Sequence, residues 1–193
     1  MNFLAHLFLS CEREALLVGN FLADFIRNKD VQKFPAEIQE GILLHRQIDH
    51  FTDVHPLVLQ GVRRMYADHH KYAPVIIDVF YDYFLSQAWH EYSEEPLREF
   101  SHRIYEILKR NLELMPPALQ KNMLLMIQDD WLMNYGTLSG LEFTFSRMAR
   151  RVSRPAHLKG VIQSLQKDED LLAEEFAGFF PDVIKMTQDF CGC

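Results

Sequence analysis

The stretch Gly41–Pro56, GILLHRQIDHFTDVHP, joins a short aliphatic run to an unusual density of histidine, arginine and aspartate residues. On a helix, His45, Asp49 and Asp53 fall at positions i, i+4 and i+8, so they form one polar line along one face. A soluble helix can present such a line to water. That interpretation has to be weighed against the rest of the chain.

A second polar pair favours a different interpretation. Asp78 and Asp82 are also four residues apart, and they lie inside the very apolar run from Pro74 to Leu85. Ionised carboxylates are almost never fully buried unless they are paired or bind a metal ion. The two lines together indicate a cluster of carboxylates and imidazole held on rigid helices.

Apolar residues at helical spacing, separated by proline and glycine breaks, predict helices along the whole chain. No window shows the strict alternation of a half-buried strand. The predicted class is therefore all-α, with seven to eight helices in one domain over 1–193 and a disordered tail at 190–193. The predicted helices span Glu14 to Asn28, Ala36 to Val54, Pro56 to Asp68, Leu97 to Met115, Ala118 to Tyr135 and Leu141 to Arg151, with further helices beginning at Pro74 and Pro155.

Composition excludes several classes of function. The chain has 193 residues and a formal net charge of -7, which is unfavourable for general nucleic-acid binding. No apolar stretch approaches the ~20 residues that a membrane span needs. The three cysteines, Cys11, Cys191 and Cys193, make an odd count and predict no disulfide framework, which favours a reducing cytoplasm.

The candidate functional residues are polar side chains embedded in otherwise apolar helices. Motifs for phosphate-binding loops, dinucleotide binding, serine nucleophiles and HExxH zinc sites are absent from the sequence. Mixed carboxylate and imidazole ligands suit Mn²⁺ or Mg²⁺, with Fe²⁺ or Zn²⁺ as alternatives, so metal-assisted hydrolysis is the favoured reaction class. These candidates are His6, Asn20, Asp24, Arg27, His45, Arg46, Asp49, Asp78 and Asp82.

Two arginines in this set point to a phosphoester substrate. Arg27 and Arg46 lie close in sequence to proposed ligands, and arginine forks match phosphate oxygens. The alternative is that both arginines only pair with the aspartates. His69 and His70, near the end of the predicted helix from Pro56, are interpreted as capping or surface residues because cations suit a helix C-terminus.

Four blocks of this sequence, in the same order, resemble the acyl carrier protein phosphodiesterase family. They are MNFLAHL at 1–7, GNFLADFIR at 19–27, GILLHRQIDHFTD at 41–53 and PVIIDVFYDYFLSQAW at 74–89. The resemblance implies a helical fold related to the HD phosphohydrolases, and release of 4′-phosphopantetheine from holo-acyl carrier protein with Mn²⁺ or Mg²⁺ assisting. An adjacent His-Asp pair, the usual mark of HD enzymes, is absent, because Asp49-His50 has the reverse order.

The resulting hypothesis assigns a role to each candidate. Asp24, His45, Asp49 and one or both of Asp78 and Asp82 bind the ion, which activates water for attack on the phosphodiester. Asp24, His6, Arg27 and Arg46 form the catalytic set: the arginines bind the phosphoryl oxygens, and His6 either protonates the leaving serine or is a core histidine. Asn20 orients a ligand or the phosphate, and Asp53 is interpreted as a helix-end partner.

The partner of this hypothesis is an acidic carrier protein, which needs a local basic surface. Arg147, Arg150, Arg151, Arg154 and Lys159 supply one, with Arg150 and Arg151 at its centre; an ordinary solvated face is the alternative. Two rival functions remain open at this stage. One is an HD-like phosphohydrolase of a small nucleotide or phosphoester, and the other is a non-catalytic helical binding module.

Overall fold

A computed structural model describes residues 1–192, and Cys193 lies outside the described part. Every regular element in 1–192 is helical, so the predicted all-α class is confirmed. Five short 3₁₀ turns connect the α-helices, at Ala23–Phe25, Asn28–Lys33, His70–Tyr72, Leu112–Leu114 and Pro155–Leu158. The α-helices are α1 Phe3–Phe8, α2 Glu14–Leu22, α3 Ala36–Val54, α4 Pro56–His69, α5 Ala73–Gln87, α6 Trp89–Tyr92, α7 Leu97–Arg110, α8 Pro117–Gln128, α9 Trp131–Asn134, α10 Leu138–Ala149 and α11 Val161–Cys191.

Helix α5 runs through the centre of the molecule. Ten of its fifteen residues are buried, and it packs against α1, α4 and α11. Such an apolar helix has no wide polar face and is stable only when neighbours cover it on nearly all sides. This placement explains why Asp82 is completely buried while Asp78, one turn earlier, is only partly covered.

The tightest helix pair is α2 with α3, and glycine allows it. Gly19 and Gly41 face each other, and a methyl group added at either position would overlap the opposite backbone. This close approach places Asn20, the residue after Gly19, near His45, which lies one turn after Gly41. The glycine contact therefore sets the spacing between the two central residues of the site.

Several predicted boundaries are confirmed, and others are wrong in an informative way. Helices α3 and α4 match their predicted spans closely because proline begins α4 and precedes α3. The helix predicted over Glu14 to Asn28 ends at Leu22, and the next three residues form a 3₁₀ turn. Similarly, the helix predicted over Ala118 to Tyr135 divides into α8 and α9, because Asp130 adopts a left-handed backbone conformation.

The cysteines correct a second expectation. A disulfide joins Cys11, just after α1, to Cys191 at the end of α11, across a sequence separation of 180 residues. Phe190 and Cys191 are helical rather than part of a disordered tail, whereas the predicted tail residue Cys193 lies outside the described residues. The odd cysteine count was the argument for a reducing compartment, and the disulfide removes that argument.

Candidate metal centre and active site

Two buried histidines share one amide oxygen at the centre of the site. His6 on α1 and His45 on α3 stack with ring centroids 4.0 Å apart, and both are about 95% buried. The Nδ1 atoms of His6 and His45 lie 3.0 and 2.9 Å from Oδ1 of Asn20 on α2. Three helices therefore meet at this single side-chain amide.

The hydrogen bonds of Asn20 fix which ring nitrogen of each histidine carries a proton. Asn20 Nδ2 donates to the carbonyl oxygen of His6 over 2.8 Å and to Oγ of Ser10 over 3.1 Å, so its oxygen faces the rings. An amide oxygen can only accept, and each Nδ1 must therefore be the donor. In a neutral ring the lone pair then lies on Nε2.

Both Nε2 atoms point at carboxylates. His6 Nε2 lies 3.1 Å from Asp49 Oδ1, and His45 Nε2 lies 3.1 Å from Asp49 Oδ2 and 3.3 Å from Asp24 Oδ1. His6 Nε2 is buried, and its contact with Asp49 lacks hydrogen-bond geometry. The Asp49 and Asp24 side chains are 43% and 49% exposed, so the cluster opens to solvent on the carboxylate side.

A lone pair facing a carboxylate at this distance is repulsive, so a proton or a cation is needed between them. Burial opposes protonation of His45, but the hydrogen bonds that its protonated Nε2 donates to Asp24 and Asp49 outweigh burial and raise its pKa to about 9. Burial would raise the pKa of Asp49, yet its contacts with His45 and His6 hold that pKa far below the usual value. Burial lowers the pKa of His6, which favours its neutral ring.

The same geometry fits a divalent metal ion. One ligand atom each from His6, His45 and Asp49 lies within 4.8 Å of the others, and this is the group in residues 1–192 that could hold an ion. Metal-bound histidines usually donate their other ring N–H to an oxygen, as both do here to Asn20. The orphaned Nε2 of His6 and the donor set of two imidazoles and a carboxylate satisfy this fit.

Comparison with known proteins identifies the family. A sequence model for acyl carrier protein phosphodiesterase matches residues 1–183. The chain belongs to the acyl carrier protein phosphodiesterase family. Proteins of this name from Yersinia enterocolitica and an Enterobacter species are each 34% identical to this chain, over 191 and 190 residues. One from Escherichia coli is 33% identical over 188 residues, and these alignments cover 97–98% of each chain.

No solved structure matches this phosphodiesterase-family fold significantly. The predicted relationship to the HD phosphohydrolases therefore stays a prediction. Within residues 1–192, none of the helices has the length and hydrophobicity to cross a bilayer.

Two of the aspartates predicted as ligands have other partners in the structure. Asp82 accepts hydrogen bonds from the backbone N–H groups of Leu4 over 2.8 Å and Ala5 over 3.1 Å, so it caps the beginning of α1. Asp78 Oδ1 lies 2.9 Å from the buried backbone nitrogen of Met1. These carboxylates hold α1, and therefore His6, in position, and neither belongs to the three-residue metal group.

The two predicted phosphate-binding arginines differ in availability. Arg27 donates from Nε to Asp30 over 3.0 Å, in an exposed ion pair that also includes Lys33. Arg46 follows His45 on α3 and donates to the neutral side chain of Asn28 over 2.7 Å. The premature end of α2 separates Arg27 from the helical face of Asn20. Arg46, by contrast, has no ion pair with a carboxylate among residues 1–192 that it would have to release before binding a phosphate.

Two of the predicted basic residues, Arg147 and Arg151, line a cavity with aromatic walls. Arg151 is exposed and lines two adjacent cavities, while Arg150 is exposed at the end of α10. Arg147 is held over the Trp131 ring, with its guanidinium carbon 4.0 Å from the ring centroid. None of these side chains is among the groups that face His6 or His45.

The place of His6 in the three-residue group with His45 and Asp49 was not predicted from the sequence. It lies on a helix of six residues, too short for a periodic pattern, so the sequence favoured either an acid or a core histidine. Conversely, His69 was predicted as a cap or surface residue, but it is buried and contacts the carbonyl oxygen of His157 at 2.8 Å and Ser164 Oγ at 2.9 Å. His70, by contrast, is exposed as predicted.

Proposed function

We propose that this protein hydrolyses the phosphodiester between 4′-phosphopantetheine and the serine of holo-acyl carrier protein, releasing the apo-carrier. The supporting observation is the convergence of two Nε2 atoms and the Asp49 carboxylate at a solvent-open position, in a chain of this family. The family name supplies the substrate. The geometry supplies a site that suits metal-assisted phosphoester hydrolysis.

We propose that His6, His45 and Asp49 hold the ion, with Asp24 beside His45 as a fourth ligand. Two imidazoles with carboxylates suit Mn²⁺, Fe²⁺ or Zn²⁺ better than Mg²⁺, and Mn²⁺ is the ion we favour. A divalent ion at this position supplies Lewis acidity for attack on the phosphorus. Asp78 and Asp82 are omitted from this ligand set because their oxygens already bind the Met1 nitrogen and the α1 backbone.

The protein's own residues then hold protons and orient the substrate. Asn20 keeps the protons of both imidazoles on Nδ1, which leaves each Nε2 free as a ligand and unable to serve as an acid in the neutral ring. This makes His6 a ligand rather than the proton donor of the initial hypothesis. Arg46, the exposed residue after His45 on α3, binds the phosphoryl oxygens, and Arg27 does so only after releasing Asp30.

The remaining parts of the proposal concern docking and context. Arg150 and Arg151, in a chain of net charge -7, form a local cationic surface that attracts an acidic carrier. We also propose that residues 1–193 act as one helical hydrolase domain, since the disulfide ties α1 to α11. We also propose a cytoplasmic location, and its only support is the proposed carrier substrate.

Incubation with holo-acyl carrier protein and Mn²⁺, followed by intact-mass spectrometry of the carrier, tests the function. The expected result is loss of the phosphopantetheine mass, which is blocked by a chelator and restored by added Mn²⁺. An unchanged carrier mass with a folded, metal-loaded enzyme would refute the proposal. Hydrolysis of small phosphoesters alone would instead identify a general phosphohydrolase, and absence of metal binding would identify a binding module.

A further inference from the structure

A cavity of about 220 Å³ lies between α5, α9 and α10, close to the beginning of α1. Hydrocarbon dominates its lining. Val75 and Val79 form one wall, Trp131 lies on another, and Phe143 and Met148 border it from α10. Phe143 is 45% exposed, so this large apolar side chain lies beside the cavity and partly in solvent rather than in the core.

Several polar groups around this cavity have partners within the protein. Asn2 Nδ2 donates to the Tyr135 hydroxyl over 3.1 Å. Arg147 covers the Trp131 ring and contacts Asp129 Oδ2 at 3.4 Å. A guest rich in amide groups would therefore find few free donors or acceptors, whereas a hydrocarbon chain needs none.

The cavity and the metal centre share helix α1. Phe3 lines it and precedes His6 by three residues on α1, a rise of ~4.5 Å along the helix. A second, smaller cavity shares Phe3, Trp131 and Arg151 with the first and extends to Phe25, the residue after Asp24. The rings of Phe3 and Phe25 stack with centroids 6.2 Å apart and form an aromatic wall of the second cavity.

The two cavities together form a groove whose lining carries only positive charge. Neither cavity has an aspartate or glutamate in its lining, although the chain carries 27 acidic residues. Its charged side chains are Arg147 and Arg151. An apolar groove with a cationic rim suits a hydrocarbon chain presented by an acidic protein.

We propose that this cavity binds a short acyl chain attached through a thioester to the phosphopantetheine arm, so that the enzyme prefers acylated carriers to the free-thiol form. The inference rests on the proposed function, because the phosphodiester must lie at the metal centre for the far end of the arm to enter the groove. A volume of about 220 Å³ is below the ~300–1,000 Å³ typical of whole-ligand pockets. That size favours the tip of the substrate over its entire prosthetic group.

The expected preference follows from the transfer of methylene groups out of water. Each methylene buried in the cavity is worth ~0.8 kcal/mol, which corresponds to about a fourfold gain in affinity. Burial of only two methylenes then predicts about a fifteenfold higher kcat/KM for an octanoyl-carrier than for the holo-carrier. This gain occurs at a point remote from the phosphorus, so it appears in KM with kcat unchanged.

The test compares kcat/KM for octanoyl-carrier and holo-carrier in the metal-loaded enzyme and two variants. Thr144→Trp fills the cavity from the partly exposed face of α10, and Leu171→Trp places the same side chain at an exposed position of α11 outside both cavities. We expect about a fifteenfold preference in the unaltered enzyme and in Leu171→Trp, and less than a threefold preference in Thr144→Trp. Holo-carrier turnover should be the same in all three proteins.

Three outcomes would overturn the inference: no preference in the unaltered enzyme, an unchanged preference in folded Thr144→Trp, or an equal loss in Leu171→Trp. If Thr144→Trp fails to fold, Phe143→Ala replaces it, because removal of this exposed ring opens the cavity to solvent and should reduce the preference severalfold. Absence of holo-carrier hydrolysis by the unaltered enzyme would instead refute the proposed function. The two failures are therefore distinguished within the same set of measurements.

Discussion

Replacement of Asn20 by alanine removes the shared acceptor of both imidazoles and the two hydrogen bonds that hold the amide. Two buried Nδ1–H groups lose their acceptor, and the carbonyl oxygen of His6 and the hydroxyl of Ser10 lose a donor. Each buried polar group left without a partner costs ~1–3 kcal/mol. With partial relaxation and entry of water, we expect Asn20→Ala to lower the free energy of unfolding by about 3–5 kcal/mol.

The same change has a second effect that a purely structural residue would not produce. Without Asn20, neither ring is held with its proton on Nδ1, and loss of such an anchor lowers metal affinity by about 10–100-fold. Isothermal titration with Mn²⁺ measures the affinity. In the metal-free protein, ¹⁵N chemical shifts of the imidazoles report which nitrogen of His6 and of His45 is protonated.

Asn20→Asp provides the matched control for this prediction. Its carboxylate still accepts from both Nδ1–H groups but cannot donate to the His6 carbonyl or to Ser10. We therefore expect it to be destabilised while it keeps the Nδ1–H form and most of the metal affinity. The reasoning is wrong if folded Asn20→Ala binds Mn²⁺ as tightly as the unaltered protein with both rings still protonated on Nδ1.

Three further predictions follow from contacts around the site. Asp82→Asn should lower the free energy of unfolding in urea by about 1–3 kcal/mol, because the two α1 N–H groups bind different carboxylate oxygens and one of these becomes an NH₂ group that cannot accept. Its Mn²⁺ affinity should change less than threefold, and a tenfold loss would restore Asp82 as a ligand. Reduction of the Cys11–Cys191 disulfide, which closes a loop of 180 residues, should lower stability by up to about 5 kcal/mol, and equal urea midpoints with and without reductant would exclude this contribution. The pKa of His45 is about 9 in the folded protein against an ordinary value of 6.5, so its contribution to stability is complete below pH 6.5 and is lost as pH rises to 9. The free energy of unfolding of the metal-free protein should therefore fall by up to ~3 kcal/mol over that interval, and Asp49→Asn should reduce this pH dependence.

The sequence predicted those parts of the fold that local signals determine. Pro35 and the His55-Pro56 pair bracket α3, and both of its ends were predicted correctly. The end of α2 at Leu22 has no such signal, since neither proline nor glycine follows it. Packing of Phe25 against Phe3 and Phe21 accompanies the change of backbone direction there, and such long-range contacts cannot be read from a helical pattern.

The site shows the same division between local and long-range information. His45 and Asp49 were predicted as neighbours because a helix places i and i+4 together, and their atoms lie 3.1 Å apart. The ligand role predicted for Asp82 had a weaker basis, because the sequence shows only that a buried carboxylate needs a partner. Its partners are backbone groups 77 and 78 residues away, and backbone donors leave no mark on the sequence.

The paired substitutions Asp49→Asn and Asp182→Asn test the central claim most directly. Both remove the charge of an aspartate about 3.1–3.2 Å from a histidine Nε2, but Asp182 pairs with His55, and neither belongs to the three-residue metal group. With Mn²⁺ present, the rate of phosphopantetheine release from holo-acyl carrier protein, followed by mass spectrometry, should fall at least about a hundredfold in Asp49→Asn and stay within twofold in Asp182→Asn. Equal rates in the two variants would contradict the assignment of His6, His45 and Asp49 as the catalytic metal centre.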